Sequence, residues 1–130
     1  MENNLTYLNA YSKFKERFKS DIETINSIEK EFNIDETDGP YTQFEYVVTT
    51  YIYHLVDMEN FERIKECFKF FDEITFASNK DKELSGVIQF SVLENLVTNK
   101  EYYPKLKEYF TEEMNAYLPY IAQYIDIRDI

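Results

Sequence analysis

The segment VIQFSVLENL, residues 87–96, constrains the fold of this chain more than any other stretch, because it is apolar on almost every side. A helix drawn through it at about 100° per residue carries apolar side chains round its whole circumference. Such a helix has to be covered on several sides, so we expect it to be the inner helix of a bundle. Gly86 and Ser91 are small enough to let a neighbouring helix approach closely. The apolar positions are Leu84, Val87, Ile88, Phe90, Val92, Leu93, Leu96 and Val97.

Glycine and proline are scarce, with two glycines and three prolines in 130 residues. Strand-rich domains need many turns, and turns consume both residue types. The chain is therefore predicted to be all-α, a single compact domain over residues 1–130 with about five or six helices. Short polar links between helices of about 15 residues favour antiparallel α-hairpins stacked side by side, with a partly HEAT-like character.

Apolar side chains at three- and four-residue steps predict where the other helices lie. The first stretch covers residues 5–32, with a break at 19–21 where Ser20 or Asp21 can cap a second helix. NIDETDGP, residues 33–40, is a loop. Further helices are predicted at 41–56, at 60–76 after a cap by Asp57 or Asn60, at 82–97, and in one long helix from Pro104 through Tyr124 that kinks or restarts at Pro119.

The charge balance excludes two classes of partner. The chain holds 14 basic and 25 acidic residues, a formal net charge of -11. Non-specific nucleic-acid affinity comes mostly from neutralising phosphates, and anionic membranes attract basic segments, so neither partner is expected. A basic protein partner is favoured instead, because the negative electrostatic potential of the chain would attract it.

Several features indicate a cytoplasmic protein. The start, MENNLTYLNAY, lacks the basic and apolar regions of a secretory signal, and no apolar run is long enough to span a bilayer. Cys67 is the single cysteine, which excludes a disulfide framework within the chain and fits a reducing compartment.

Most of the negative charge falls in one stretch of sequence. Residues 21–40 hold seven acids against Lys30 alone, and residues 41–60 add three more acids without a lysine or arginine. Tyr41, Tyr46, Tyr51 and Tyr53 occur in the same region, and tyrosine is enriched at protein interfaces. An acidic, tyrosine-bearing binding surface and a merely solubilising surface are both open interpretations. The residues expected to bind a partner are Asp35, Glu36, Asp38, Tyr41, Glu45 and Asp57.

The residue pattern gives little support for a catalytic site or a metal site. His54 is the single histidine, and nothing in the sequence brings it next to Cys67 as a nucleophile–base pair. The loop NIDETDGP resembles a calcium site, but an EF-hand count from Asn33 has Asp38 where glycine belongs and Phe44 where the bidentate glutamate belongs. No catalytic residue, metal site or cofactor is predicted.

Two charged features have structural interpretations. Glu94 has apolar neighbours on its helix face, so we expect a carboxylate that ties the inner helix to a neighbour. KFKERFK, residues 13–19, is the one basic cluster, and its charges alternate between two helix faces in contact with solvent.

The stretch FERIKECFKFFDEI, followed by VIQFSVLENL, resembles a family of small bacterial α-helical proteins of uncharacterised or immunity-like type, encoded near polymorphic toxin genes. In that family an Ile-x-x-x-Phe-x-Phe-x-Glu helix, here residues 64–73, precedes Val-x-x-x-Phe-Leu-Glu-x-Leu. Val92 and Leu93 stand where the family has Phe-Leu. The resemblance covers about residues 41–100 and implies an all-α fold, no cofactor, no catalytic residues and, for immunity-like members, a bound toxin.

The leading hypothesis is a non-enzymatic inhibitor, an immunity protein that neutralises a cognate toxin domain by occluding its active site. A basic toxin such as a nuclease would be attracted by the acidic surface. One alternative is a regulatory or scaffold protein that binds a host protein unrelated to toxins. Another is a small-molecule enzyme with a pocket around Glu94 and His54.

Overall fold

The part of the chain described by the computed structural model, residues 4–123, contains seven helices and no strand. The predicted all-α class is confirmed, with one helix more than the upper expected number. α3 and α5 each combine several consecutive helical segments. The bounds are Ala10–Arg17 for α1, Ile22–Phe32 for α2, 40–57 for α3, Phe61–Ala77 for α4, 83–98 for α5, Tyr103–Leu106 for α6 and Glu112–Ile121 for α7.

The N-terminal prediction is right about the break and wrong about two details. A 3₁₀ turn at Lys19–Asp21 separates α1 from α2, as expected. However, α1 begins only at Ala10, because a turn precedes it. In this turn the Thr6 amide donates to the Asn9 side-chain oxygen, and the Asn9 amide donates to the Thr6 hydroxyl oxygen. Asp21 stands at the N-cap position of α2, but its side chain makes no capping bond; it accepts from Tyr51 instead.

α5 is the inner helix that its sequence predicts. α3, α4 and α7 pack against its length, and α6 contacts its C-terminal end. Phe90 of the predicted apolar set remains 41% exposed. The other seven members are at most 1% exposed: Leu84, Val87, Ile88, Val92, Leu93, Leu96 and Val97.

α3 and α5 approach closely where small residues were expected to permit it. A methyl group added to Gly86 would lie 2.1 Å from the Tyr41 hydroxyl oxygen. The Ser91 hydroxyl donates to the Tyr41 carbonyl oxygen at 2.8 Å. Both helices contain a π-helical stretch, Phe44–Val48 in α3 and Val87–Leu93 in α5, and these two stretches pack on each other.

The predicted long C-terminal helix is wrong, because Thr111 divides it. The main chain at Thr111 is extended, its hydroxyl oxygen accepts from the Met114 amide, and the same hydroxyl donates to Asp72 of α4 at 2.7 Å. α7 therefore starts after Thr111 and continues through Pro119 without a restart. Tyr124, expected on this helix, lies outside the described residues.

Aromatic rings join α1, α3 and α4 in one hydrophobic core. Phe14 of α1 is fully buried and contacts Tyr51 of α3 at 5.7 Å and Phe70 of α4 at 6.2 Å between ring centroids. Of the two proposed caps for α4, Asn60 is the one used, because its side-chain oxygen accepts from the Arg63 amide. In residues 4–123, the helices are all too short or too polar to cross a membrane.

Candidate functional site

Acidic side chains of α2 and of its N-cap position lie on two different faces, and only one of these faces is neutralised by cations. Asp21 accepts from the Tyr51 hydroxyl and lies 3.7 Å from the Arg63 Nε atom. Glu29 accepts from the Tyr11 hydroxyl at 2.6 Å and from the ammonium of Lys15. Burial and these carboxylates raise the pKa of both tyrosines far above the ordinary value, which keeps their hydroxyls as donors.

The other face of α2 forms one wall of a groove against α3. Its volume is about 460 Å³, and the buried Ile28 lies at its floor. Within the described chain, neither glutamate of the groove has a cationic partner. We call this surface the acidic groove; its walls are Glu23, Thr24, Ser27 and Glu31 of α2 and Thr50 and His54 of α3.

An exposed pair of aromatic rings connects the same two helices beside the acidic groove. Phe32, next to Glu31, and Tyr46, four residues before Thr50, have ring centroids 5.7 Å apart. They are 40% and 42% exposed, so large apolar surface faces solvent here. Interaction with the neighbouring Glu45 carboxylate raises the pKa of the Tyr46 hydroxyl. The aromatic pair of Phe32 and Tyr46 is thus bordered by carboxylates.

The loop before α3 holds three of the predicted partner-binding residues, and all three are exposed. Asp35 accepts from the amide and hydroxyl of Thr37, which lowers the pKa of its carboxyl group. Asp38 accepts from the Asp35 amide at 2.7 Å. These two aspartates therefore shape the loop through hydrogen bonds within it.

Two predicted partner-binding residues lie away from this surface. Tyr41 is half-buried, with its ring against Tyr7 and over Gly86, so it packs α3 onto α5. Asp57 is at the opposite end of α3, about 24 Å from Tyr41 at 1.5 Å per residue. There it accepts from the Tyr102 hydroxyl, and this bond raises the pKa of Tyr102 to about 12.

The other tyrosines of the acidic region are not available at this surface. Tyr51 is fully buried in the core. Tyr53 is half-buried and stacks on Tyr102, with ring centroids 4.4 Å apart. Of the four tyrosines noted in the sequence, Tyr46 is therefore the exposed one.

The residues considered for catalysis are separated. His54 is exposed on the acidic groove, whereas Cys67 is fully buried, and burial raises its pKa strongly. Glu94 is half-buried on α5, but its carboxylate makes no hydrogen bond or ion pair with residues 4–123, so the expected tie to a neighbouring helix is not formed there. Among the described residues, no group of His, Cys, Asp and Glu side chains could hold a metal ion.

The basic cluster has a more specific role than a solvated face. Arg17 donates to Glu73 of α4 at 2.6 Å, and its guanidinium lies 5.3 Å from the centroid of the Phe70 ring. Lys15 faces α2 instead and pairs with Glu29 at 2.9 Å. The alternation of the cluster between two faces is confirmed, but each face is tied to another helix.

Phe32, Glu31 and the position of His54 on the groove are not predicted from the sequence. Phe32 continues an apolar stripe, which suggested a core residue, but it is the last residue of α2 and stays at the surface. A signal for the groove was present: Glu23, Thr24, Ser27 and Glu31 recur at three- and four-residue steps and define a second, polar face of α2.

Residues 11–126 match the model of a family described as a domain of unknown function, DUF7674. The chain belongs to this family. No curated protein and no solved structure shows significant similarity to the chain.

The DUF7674 match includes both helices of the acidic groove and the inner helix α5. It begins within α1, at Tyr11, and ends beyond α7. The surface described above therefore belongs to the family domain and not to an appended segment.

Proposed function

We propose that this protein is a cytoplasmic, non-enzymatic inhibitor, an immunity protein that neutralises a cognate bacterial toxin domain. The observation that supports the proposal is the acidic groove. Glu23 and Glu31 lack cationic partners in the described chain, and the exposed pair of Phe32 and Tyr46 lies beside them. Unpaired charge next to exposed aromatic area is typical of a surface that binds a protein.

The mechanism we propose is occlusion of a cationic active site. The net charge of -11 attracts a basic toxin domain, such as a nuclease, and speeds encounter. The carboxylates of the acidic groove would then take the place of the phosphates of the toxin's substrate. Phe32 and Tyr46 supply apolar contact area, which slows dissociation.

A protection assay tests this proposal. The proposal predicts a toxin domain encoded beside the gene. That domain is expressed in cells with and without this chain, and its affinity for the purified chain is measured by calorimetry. We expect restored growth with the native chain. The double variant Glu23→Gln/Glu31→Gln should raise Kd by about 5- to 30-fold, since each rim charge contributes about 0.5–1 kcal/mol.

The matched control is Glu16→Gln/Glu62→Gln, which removes two exposed glutamates on α1 and α4. Its net charge equals that of the test variant, so it should bind within about twofold of the native chain. Equal loss of affinity in both variants would contradict the acidic groove as the binding surface. Absence of protection and of binding by the native chain would contradict the immunity function itself.

A further inference from the structure

The turn between α3 and α4 holds a glutamate in a conformation that favours glycine. Glu59 has φ 54°, in the left-handed region. The Glu59 amide donates to the Val56 carbonyl and the Asn60 amide to the Leu55 carbonyl, which is the Schellman arrangement at a helix end. Glycine is the usual residue at this position, because it has no side chain to clash with the backbone.

The geometry of the turn does not require a carboxylate at Glu59. The turn is closed by main-chain hydrogen bonds, and the cap of α4 is the side chain of Asn60. A non-glycine residue in the left-handed region destabilises the fold. Residues in such unfavourable backbone conformations are concentrated at functional sites. We therefore expect the Glu59 side chain to have a role outside the turn.

A second groove lies at this turn, and Glu59 lines it. Its volume is about 490 Å³, and the apolar side chains of Val56 and Ile64 form its base. Phe61, at the start of α4, lines it as well and is 53% exposed. Met58, also in this turn, is 66% exposed. We call this surface the turn groove.

Charged groups surround the apolar base of the turn groove. Asp57 and Glu59 from the turn and Glu108 from the segment after α6 line it, against the single cation Lys105. The excess of carboxylates favours a cationic occupant. A second copy of the chain would bring the same net charge of -11 and is disfavoured by repulsion.

We infer that the turn groove is a docking site for a partner segment that presents a large apolar side chain next to a lysine or arginine. The apolar side chain would rest on Val56, Ile64 and Phe61, and the cation would pair with Glu59. This assignment goes beyond the proposed function, because the turn groove lies at the other end of α3 from the Phe32–Tyr46 pair.

Amide NMR titration with two simple probes tests the inference. Phenethylamine carries a ring and a cation, and 3-phenylpropionate carries the same ring on an anion. We expect phenethylamine to give saturable shifts confined to residues 56–64 and 105–108, with Kd on the order of 1–10 mM for so small a ligand. 3-Phenylpropionate should bind at least about fivefold more weakly, because the carboxylates repel it.

Two pairs of variants separate specific binding from adsorption to an acidic surface. Glu59→Gln and Phe61→Ser should each raise the Kd of phenethylamine about threefold or more. Their controls are Glu16→Gln on α1 and Phe76→Ser on α4. These variants remove an exposed charge and a ring that is 74% exposed, and should leave the Kd unchanged.

Three results would overturn the inference. They are equal binding of both probes, shifts spread over the whole surface, and equal losses in the test and control variants. Dimerisation that disappears in Phe61→Ser, seen by sedimentation, would also overturn it, because the occupant would then be a second copy.

Discussion

At the scale of single residues, two left-handed positions end α2 and α3 in the same way but with different side chains. Asn33 has φ 56° after α2, where the Ile34 amide donates to the Glu29 carbonyl. Asparagine adopts the left-handed region more readily than most residues, because its short polar side chain can hydrogen-bond to the nearby backbone. The longer side chain of Glu59 lacks this advantage. Comparing glycine substitutions at the two positions measures how much stability the protein loses by having glutamate at position 59.

Replacing Glu59 with glycine should raise the free energy of unfolding by about 0.5–1 kcal/mol. The relief of left-handed strain exceeds the extra entropy that glycine gives the unfolded chain. Asn33→Gly, as control, should change stability by only a few tenths of a kcal/mol. Urea unfolding measures both, and a loss of stability in Glu59→Gly would show that the glutamate side chain stabilises the turn.

The candidate site illustrates what single residues reveal in sequence. Asp35, Glu36 and Glu45 are close along the chain to residues of the acidic groove, but they do not line it. Tyr41 and Asp57 belong to the same charged stretch, but one turns toward Gly86 and the other is a full helix length away. Nearness in sequence shows how many charges a stretch of chain carries. Which of those charges lie on the same face depends on the helix geometry.

At the scale of helices, periodicity predicts most of the fold, because burial of an apolar stripe is what fixes a helix in a bundle. The inner helix, the break at Lys19–Asp21 and the Asn60 cap follow from local patterns. The start of α7 could not be predicted, since its N-cap Thr111 is held by a hydrogen bond to Asp72, 39 residues away. The π-helical stretches likewise arise where α3 and α5 meet, a contact between distant segments.

The contact between α3 and α5 predicts the effect of a methyl group at Gly86. Gly86→Ala puts that methyl 2.1 Å from the Tyr41 hydroxyl and should destabilise the protein by about 1–2 kcal/mol. Tyr41→Phe removes the closest atom, so in that background Gly86→Ala should be nearly neutral, because alanine favours the helix. A double-mutant cycle by urea unfolding gives the coupling energy. Equal losses in both backgrounds would contradict the close approach.

At the scale of the whole molecule, the charge falls into two populations. Inward-facing carboxylates such as Asp21 and Glu29 are paired with tyrosine hydroxyls and basic side chains from other helices. Outward-facing carboxylates of the acidic groove have no cationic partner among residues 4–123. The first population holds the bundle together, and the second is free to meet a partner.

The buried tyrosines predict how stability depends on alkaline pH. Burial raises the pKa of Tyr51, and the bond to Asp21 adds to it, so the folded chain keeps this proton longer than the unfolded chain. The stabilisation that protonated Tyr51 adds to the free energy of unfolding is fully present below the ordinary tyrosine pKa of about 10. It is lost as the pH rises above that value. Tyr51→Phe should therefore reduce the slope of unfolding free energy between pH 10 and 12 by about 1.4 kcal/mol per pH unit.

Tyr120→Phe is the control for this slope, because Tyr120 is 58% exposed. Urea unfolding at several alkaline pH values measures the slope for each variant. An unchanged slope in Tyr51→Phe, or an equal change in Tyr120→Phe, would contradict the buried hydrogen bond to Asp21.

The central claim, that the acidic groove receives a basic toxin, is tested most directly by the association rate constant at two ionic strengths. Between about 50 and 300 mM salt, we expect the rate for the native chain to fall by about tenfold or more, because salt screens long-range attraction. The association rate of Glu23→Gln/Glu31→Gln should start lower and fall less steeply with salt, while the dissociation rate changes little. A rate that is independent of salt and identical in native and variant chains would contradict the claim.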